Sequence, residues 1–361
     1  MPAPASAPAS APASAGAPPA PAPPGAPPAP APQQKGGEGR IDEWEVRGIL
    51  GRGAYGTVYR VQAGAQTGAL TGALTGVQYA LKLAHGDAGA QRDLQREILL
   101  FESCPPHANL MRPVLIREYY FLMPVADGAL DSRLCDLHRL PKRQDIALAV
   151  LMQLLGALAH LHAQRIAHCD LAPSNVLCRN WPGVPPRADA FVVQISDLGM
   201  GRRVDARGVA QGYSPETAGR GPWRRCPTRT AYASPECTAT KCAIQQYRQA
   251  EHGADADLYL GPAADAAGSL SSTGCDVWGA VCTAMYVSGR LDKALLWGEC
   301  MRGHFYDDVY RPHLQLLLNN FLPRAAARVV LRSVLVPQVR RWPAANTLQA
   351  LQRLVRRGEP A

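Results

Sequence analysis

Apolar and polar positions alternate on both sides of a glycine run in "WEVRGILGRGAYGTVYRVQ", which begins at Trp44. That pattern predicts strand, glycine turn, strand. A second alternating run, "VQYALKLA" from Val77, predicts the next strand. The period then changes: in "AQRDLQREILLFE" from Ala90, Leu94, Ile98 and Phe101 recur on one side of a helix. "YYFLMPVADG" reads as an apolar strand ending in a turn, and a long apolar run ending near Ala163 reads as a buried helix. "FVVQISDLG" predicts a strand that runs into a glycine turn. Beyond Gly199 the pattern is mostly helical, with loops rich in Gly, Arg and Pro. A strand-rich part thus precedes a larger helix-rich part, which predicts an α+β chain of two lobes, 41–124 and 125–361.

Residues 1–40 stand apart, being almost only Ala, Pro, Ser and Gly. With no apolar period to bury, they are expected to be disordered and partly polyproline II. They lack the basic start and apolar core of a secretory signal. The tandem "TGALTGALTG", Thr67 to Gly76, predicts an exposed hairpin extension. The run from Ile146 to Leu161 is interrupted by Gln153, Gly156 and His160, so a core helix is expected and no membrane partner. The net charge of +9 comes from 38 basic and 29 acidic residues spread along the chain. A mild, dispersed excess reads as a solvated surface, and no dedicated nucleic-acid site is expected. Ten cysteines occur without a C-x-x-C pair or zinc spacing, which fits a reduced intracellular compartment.

The candidate chemistry begins at Gly51, Gly53 and Gly56, which form G-x-G-x-x-G. Glycines let backbone amides approach phosphates, but the pattern alone also fits an ordinary hairpin turn. A dinucleotide fold needs a helix after the last glycine. Thr57, Val58 and Tyr59 predict a strand instead, so a flap over a nucleotide is the better reading. Lys82 lies on an apolar strand, where it must find an anion or snorkel from the strand end. Glu97 on the following helix is the leading partner, with Asp93 and Glu102 as weaker alternatives. "HCDLAPSN" sets His168, Asp170 and Asn175 directly after the long helix. In "ISDLG", Asp197 closes a strand and precedes Gly199.

Flap, lysine, helix glutamate, H-x-D-x-x-x-x-N and D-x-G, in that order, resemble the protein kinases. The resemblance runs from Trp44 to the C-terminus. It implies that Asp170 orients and deprotonates a substrate hydroxyl, and that Asn175 and Asp197 hold Mg2+ on the phosphates of ATP. It further implies a nucleotide site of Leu50, Gly51, Gly53, Ala54, Tyr55, Gly56, Val58, Ala80, Lys82 and Glu97. His168 is expected to pack under the Asp197 turn. "YASPECT" resembles the A-P-E segment, with Glu236 as its acid. In "GCDVWG", Asp276 is expected to tie down the catalytic loop, and Arg340 or Arg341 in "RRWPAAN" to pair with Glu236.

Departures narrow the resemblance. Cys169 stands where Arg usually precedes the catalytic Asp, Ala172 where Lys usually follows it, and Leu198 where D-F-G has Phe. An insertion is expected within 237–272. H-x-D-L-x-P-x-N with a Pro/Ala-rich tail resembles the conserved herpesviral protein kinases, and more closely the alphaherpesvirus tegument serine/threonine kinases. That implies viral and host protein substrates, in the virion tegument and host nucleus. The missing Lys at Ala172 leaves a pseudokinase scaffold as the alternative. A small-molecule phosphotransferase is disfavoured by the S-P-E and D-V-W-G segments, and tyrosine specificity by the lack of an Arg in "APSN". Because Cys169 offers no charge to a phosphate on Thr228 or Thr230, activity is expected not to depend on phosphorylation of that segment. The alternative is that one of the segment's own arginines, such as Arg202, Arg203, Arg224, Arg225 or Arg229, or one from the lobe above, receives the phosphate.

Overall fold

A computed structural model describes residues 39–53, 56–63, 77–133, 137, 142–179, 192–209, 272–289, 311–335 and 341–357. Residues 1–38 of the tail, the "TGALTG" repeat, Ala54, Tyr55, the stretch 210–271 with Thr228, Thr230 and Glu236, and Arg340 lie outside the described residues, whereas Arg40, expected to end the disordered tail, opens a strand.

The first lobe is a six-stranded antiparallel sheet. In chain order its strands are β1 Arg40–Ile41, β2 Trp44–Arg52, β3 Gly56–Ala63, β4 Gln78–Ala84, β5 Leu115–Ile116 and β6 Tyr120–Pro124. They lie side by side as β1-β2-β3-β4-β6-β5. Register shifts between Val46 and Gly48 and between Ile49 and Gly51 interrupt the β2–β3 ladder. Strand periodicity sorts the side chains onto two faces. Trp44, Tyr59, Val61, Leu81, Leu83, Tyr120 and Leu122 form one buried cluster. Val58, Ala80, Phe121 and Met123 face the other way and join the main core with helix α1, Ala88–Glu102. Asp87 caps α1, its carboxylate accepting from the Gly89 and Ala90 amides at 3.0 and 2.9 Å. Leu94, Ile98 and Phe101 are all buried, as the helical spacing predicted.

The second lobe is helical. Its helices are α2 Arg143–Ala163, α3 Ser272–Ser288, α4 Arg311–Leu318, α5 Arg324–Ser333 and α6 Ala344–Arg356. Helix α2 packs on α3 and α6, with Val150, Leu151, Leu154, Leu155, Leu158 and Leu161 fully buried. It is the one helix among the described residues long and apolar enough to cross a membrane by length and composition. Here it is the lobe's central helix, and an all-round apolar sequence suits that place equally. Small strands carry the loops of interest: β7 Gly128–Ala129, β8 Ile166–Ala167, β9 Val176–Arg179, β10 Val192–Ile195 and β11 Arg202–Arg203. They pair as β10-β9-β7 and β11-β8. "FVVQISDLG" is therefore a shorter strand than its pattern predicts, ending at Ile195 before a 3-10 turn at Leu198–Met200. The lobes are joined where Ile195 donates to the Asn109 carbonyl at 2.9 Å and Met111 donates to that of Ile195 at 2.8 Å.

Candidate active site

Strand β4 presents Ala80 and Lys82 on the face toward α1, and β3 sets Val58 directly beside Lys82. From there the Lys82 ammonium reaches two carboxylates, Glu97 Oε2 and Asp197 Oδ1, each at 2.7 Å. Glu97 is buried, and Lys82 lies over the Phe121 ring. Asp93, the weaker alternative to Glu97, instead pairs with Arg96 at 2.8 Å. Burial works against the charged form of Lys82, but the two carboxylates outweigh it and raise its pKa above the ordinary value. Burial raises Glu97 to about 7 against the pull of Lys82. Burial also works against ionised Asp197, yet Lys82 outweighs it and holds this carboxyl below its usual range. One cation thus serves two acids, and Asp197 is the more fully ionised. Its side chain is 45% exposed, so it can still reach a ligand in the cleft.

The Asp197 turn is tight. Asp197 has φ 64°, a left-handed conformation uncommon outside glycine, and its carboxylate accepts from the Gly199 amide at 3.2 Å. A Cβ on Gly199 would sit 2.9 Å from that carboxylate oxygen, so a larger residue would push the Asp197 side chain aside. In the flap, Gly53 donates to the Gly56 carbonyl at 2.9 Å. Gly56 has a reason of its own: a Cβ there would lie 2.3 Å from the Leu83 carbonyl oxygen. Gly51 has open space around it, a Cβ on Gly53 would be in ordinary contact with the Gly56 carbonyl oxygen at 3.7 Å, and Leu50 is exposed beside them. Ala80 is buried.

The loop after α2 is built on buried polar contacts. Asp276 on α3 accepts from the His168 and Cys169 amides, both at 2.8 Å, and meets His162 Nε2 at 3.0 Å. His168 Nδ1 accepts from the Asp170 amide at 3.2 Å, so its Nε2 carries the proton and donates to the Ser196 carbonyl at 2.9 Å. Ser196 in turn donates from its amide to the Asn175 carbonyl at 2.9 Å, which brings Asp197 next to the Asn175 turn. The Asn175 amide nitrogen donates to the Asp170 carbonyl at 2.7 Å and to its carboxylate at 3.0 Å. Cys169, at φ 64°, packs by Ala167 and Val204.

The structure therefore brings Lys82, Glu97 and Asp197 into one cluster, and His168, Asp170, Asn175 and Asp276 into another. Three contributors were not legible. Ser196 and His162 act through hydrogen bonds with no sequence pattern. Arg96 donates to the Gly199 carbonyl at 2.5 Å. Arg341 is buried, stacks over Trp278 and donates to the Val334 and Gly274 carbonyls.

Known proteins share this framework. "CBL-interacting protein kinase 4" of Oryza sativa subsp. japonica is 34% identical over 145 residues, covering 39% of this chain and 31% of its own length. "Cyclin-dependent kinase 8" of Caenorhabditis elegans is 31% identical over 166 residues, 42% of this chain and 26% of its own. "Serine/threonine-protein kinase PLK4" of Drosophila virilis is 24% identical over 232 residues, 61% of this chain and 24% of its own. The chain thus spans less than a third of the length of these relatives. The protein kinase domain model matches residues 44–259, more than half of the chain and the whole of both clusters except Asp276. By that match the chain belongs to the protein kinase family.

Proposed function

We propose that the chain is an active serine/threonine protein kinase that moves the γ-phosphoryl group of ATP to protein hydroxyls. The observation that carries this reading is the Asp170 carboxylate, held by the Asn175 side-chain amide and linked through the Asn175–Ser196 backbone contact to the Lys82–Asp197 pair.

The residues fit the group that this chemistry needs. Asp197 and the Asn175 side-chain oxygen are hard oxygen donors, which suit magnesium. No cluster of three His, Cys, Asp or Glu side chains occurs among the described residues. Magnesium held by one or two protein oxygens plus phosphate does not require one. Bound there, it would neutralise charge on the transferring phosphoryl group. Lys82, fixed by Glu97, is placed to hold phosphate oxygens. Gly51 and Gly53 leave room for phosphates under the flap. Asp170 orients the attacking hydroxyl and accepts its proton. Asn175 fixes the Asp170 carboxylate from one side, and His168 supports the loop from below.

The motif pattern H-x-D-L-x-P-x-N and the Pro/Ala-rich tail support a place among the herpesviral protein kinases. On that reading the substrates are viral and host proteins and the sites of action are tegument and host nucleus. The pseudokinase alternative rests on Ala172, which is fully buried and supplies no cation to a phosphate. Radiolabelled ATP with a generic protein substrate, followed by phosphoamino-acid analysis, separates the two. Phosphoserine or phosphothreonine is expected. Nucleotide binding without label transfer would establish the scaffold reading.

A further inference from the structure

Arg96 immediately precedes Glu97 on α1, and both act on the Asp197 turn, Glu97 through Lys82 and Arg96 directly. The Arg96 guanidinium donates through Nη2 to the Gly199 carbonyl at 2.5 Å. Its other arm, Nη1, donates to Asp93 Oδ1 at 2.8 Å, three residues back on the same helix. A planar guanidinium bound at both ends is fixed in direction as well as in place. Gly199 is consequently held on both sides. Its amide points at the Asp197 carboxylate, 3.2 Å away, and its carbonyl at Arg96.

This arrangement has consequences for Asp197. That residue is in a left-handed backbone conformation, which persists only where its surroundings impose it. Two residues on, a Cβ on Gly199 would lie 2.9 Å from the Asp197 carboxylate oxygen. Whatever fixes the two peptides of Gly199 fixes the direction of the Asp197 carboxylate. The catalytic loop does this from below, through the Ser196 carbonyl on His168. From above, Lys82 of β4 holds the Asp197 carboxylate, and α1 reaches the backbone of the turn through Arg96. Glu97 is committed to Lys82. Arg96 is committed to nothing but the turn and its own helix.

We propose that Arg96 is a positioning residue: it locks the Gly199 carbonyl so that Asp197 faces the magnesium–nucleotide, and it makes that orientation depend on the seating of α1. The proposal rests on the kinase reading above. It would also let this chain align the turn without a charged residue at Cys169.

The test uses the full chain and its Arg96→Ala and Arg96→Lys variants. Two quantities are measured: thermal stabilisation and fluorescent-nucleotide binding across a magnesium titration, and steady-state kinetics. A charge-assisted hydrogen bond of this kind corresponds to an effect of about tenfold. Arg96→Ala is expected to need about tenfold more magnesium for half-maximal nucleotide binding. Binding of ATP without magnesium should change little. Turnover should fall about tenfold at unchanged KM for the protein substrate. Arg96→Lys keeps a donor for Gly199 but loses the fork to Asp93, and should recover part of both effects. Wild-type magnesium dependence in a folded Arg96→Ala protein would overturn the proposal. So would equal losses of binding with and without magnesium, which mark a merely structural role. A wild-type chain without phosphoryl transfer would sink the kinase reading, while the magnesium titration would still decide the role of Arg96.

Discussion

The two halves of the cleft are held by different physics. Below, the Asp170 loop hangs from Asp276, one buried carboxylate accepting two main-chain amides and meeting His162. Such contacts form once, on folding, and involve no charge that must change partner. Above, Lys82 is shared between two acids that come from a helix and from a turn 100 residues further along the chain. That cluster exists only while α1, β4 and the Asp197 turn are together. The lower half is thus a fixed platform, and the upper half is an assembly whose completion depends on the placement of one helix.

The largest way to break this contrast is Asp276→Ala. It would leave the His168 and Cys169 amides buried without acceptors, at about 1–3 kcal/mol each. The expected loss is about 3–5 kcal/mol of folding stability, read by denaturant unfolding, with turnover lost in parallel. Full stability with only turnover lost would mean that the platform is not structural.

Next is Lys82→Met, where the reverse is expected: a folded protein with phosphoryl transfer reduced on the order of 10²-fold or more. The fold should survive because Glu97, already pushed up to about 7 by burial, takes a proton once its cation is gone. Calorimetry beside the kinetics checks this. Unchanged autophosphorylation would refute the role of Lys82, and collapse of the fold would refute the contrast.

The sequence made these two halves legible to different depths. Lys82, Asp170, Asn175 and Asp197 were visible because ionisable groups inside apolar strings need a reason to be there. The strands β3 and β4 and helix α1 were visible because each runs long enough to establish a period. Two-residue strands such as β8 and β11 have no period to read, although they bring the loop and the turn together. Left-handed backbone at Cys169 and Asp197 leaves no mark on residue type. Arg96 was hidden because an arginine in "QREILL" looks like any solvated helix charge, and its partner is a main-chain carbonyl.

A smaller effect is expected from phosphorylation of the segment after Asp197. Cys169 lies in a small apolar cluster with Ala167 and Val204, so the position before Asp170 itself offers a phosphate no guanidinium. Phosphatase treatment, and separately Thr228→Ala with Thr230→Ala, should change the initial rate by well under about tenfold. A tenfold drop in both, with the protein folded, would show that the upper half needs an external charge to assemble.

The smallest expected effect lies at the joint between the halves. His107, in the loop after α1, stacks on His160 of α2 with ring centroids 5.0 Å apart. His107 Nδ1 accepts from the Asn109 amide at 3.1 Å, which requires an unprotonated nitrogen there. His160 Nε2 meets the Pro105 carbonyl at 2.8 Å, so it is the donor in that pair. Burial, and then the neighbouring His160, hold the His107 pKa below its ordinary 6.5. The folded state therefore binds this proton less readily than the unfolded chain. The contribution to stability is complete above about pH 6.5 and is lost as pH falls through the lower, folded value. A melting-temperature series from about pH 8 to about pH 5.5 should show a modest acid decline. His160→Gln keeps a donor for Pro105 and removes the stacked imidazole beside His107, so its decline should be shallower. Parallel curves for the two proteins would show that the stacked pair does not couple the lobes through its charge.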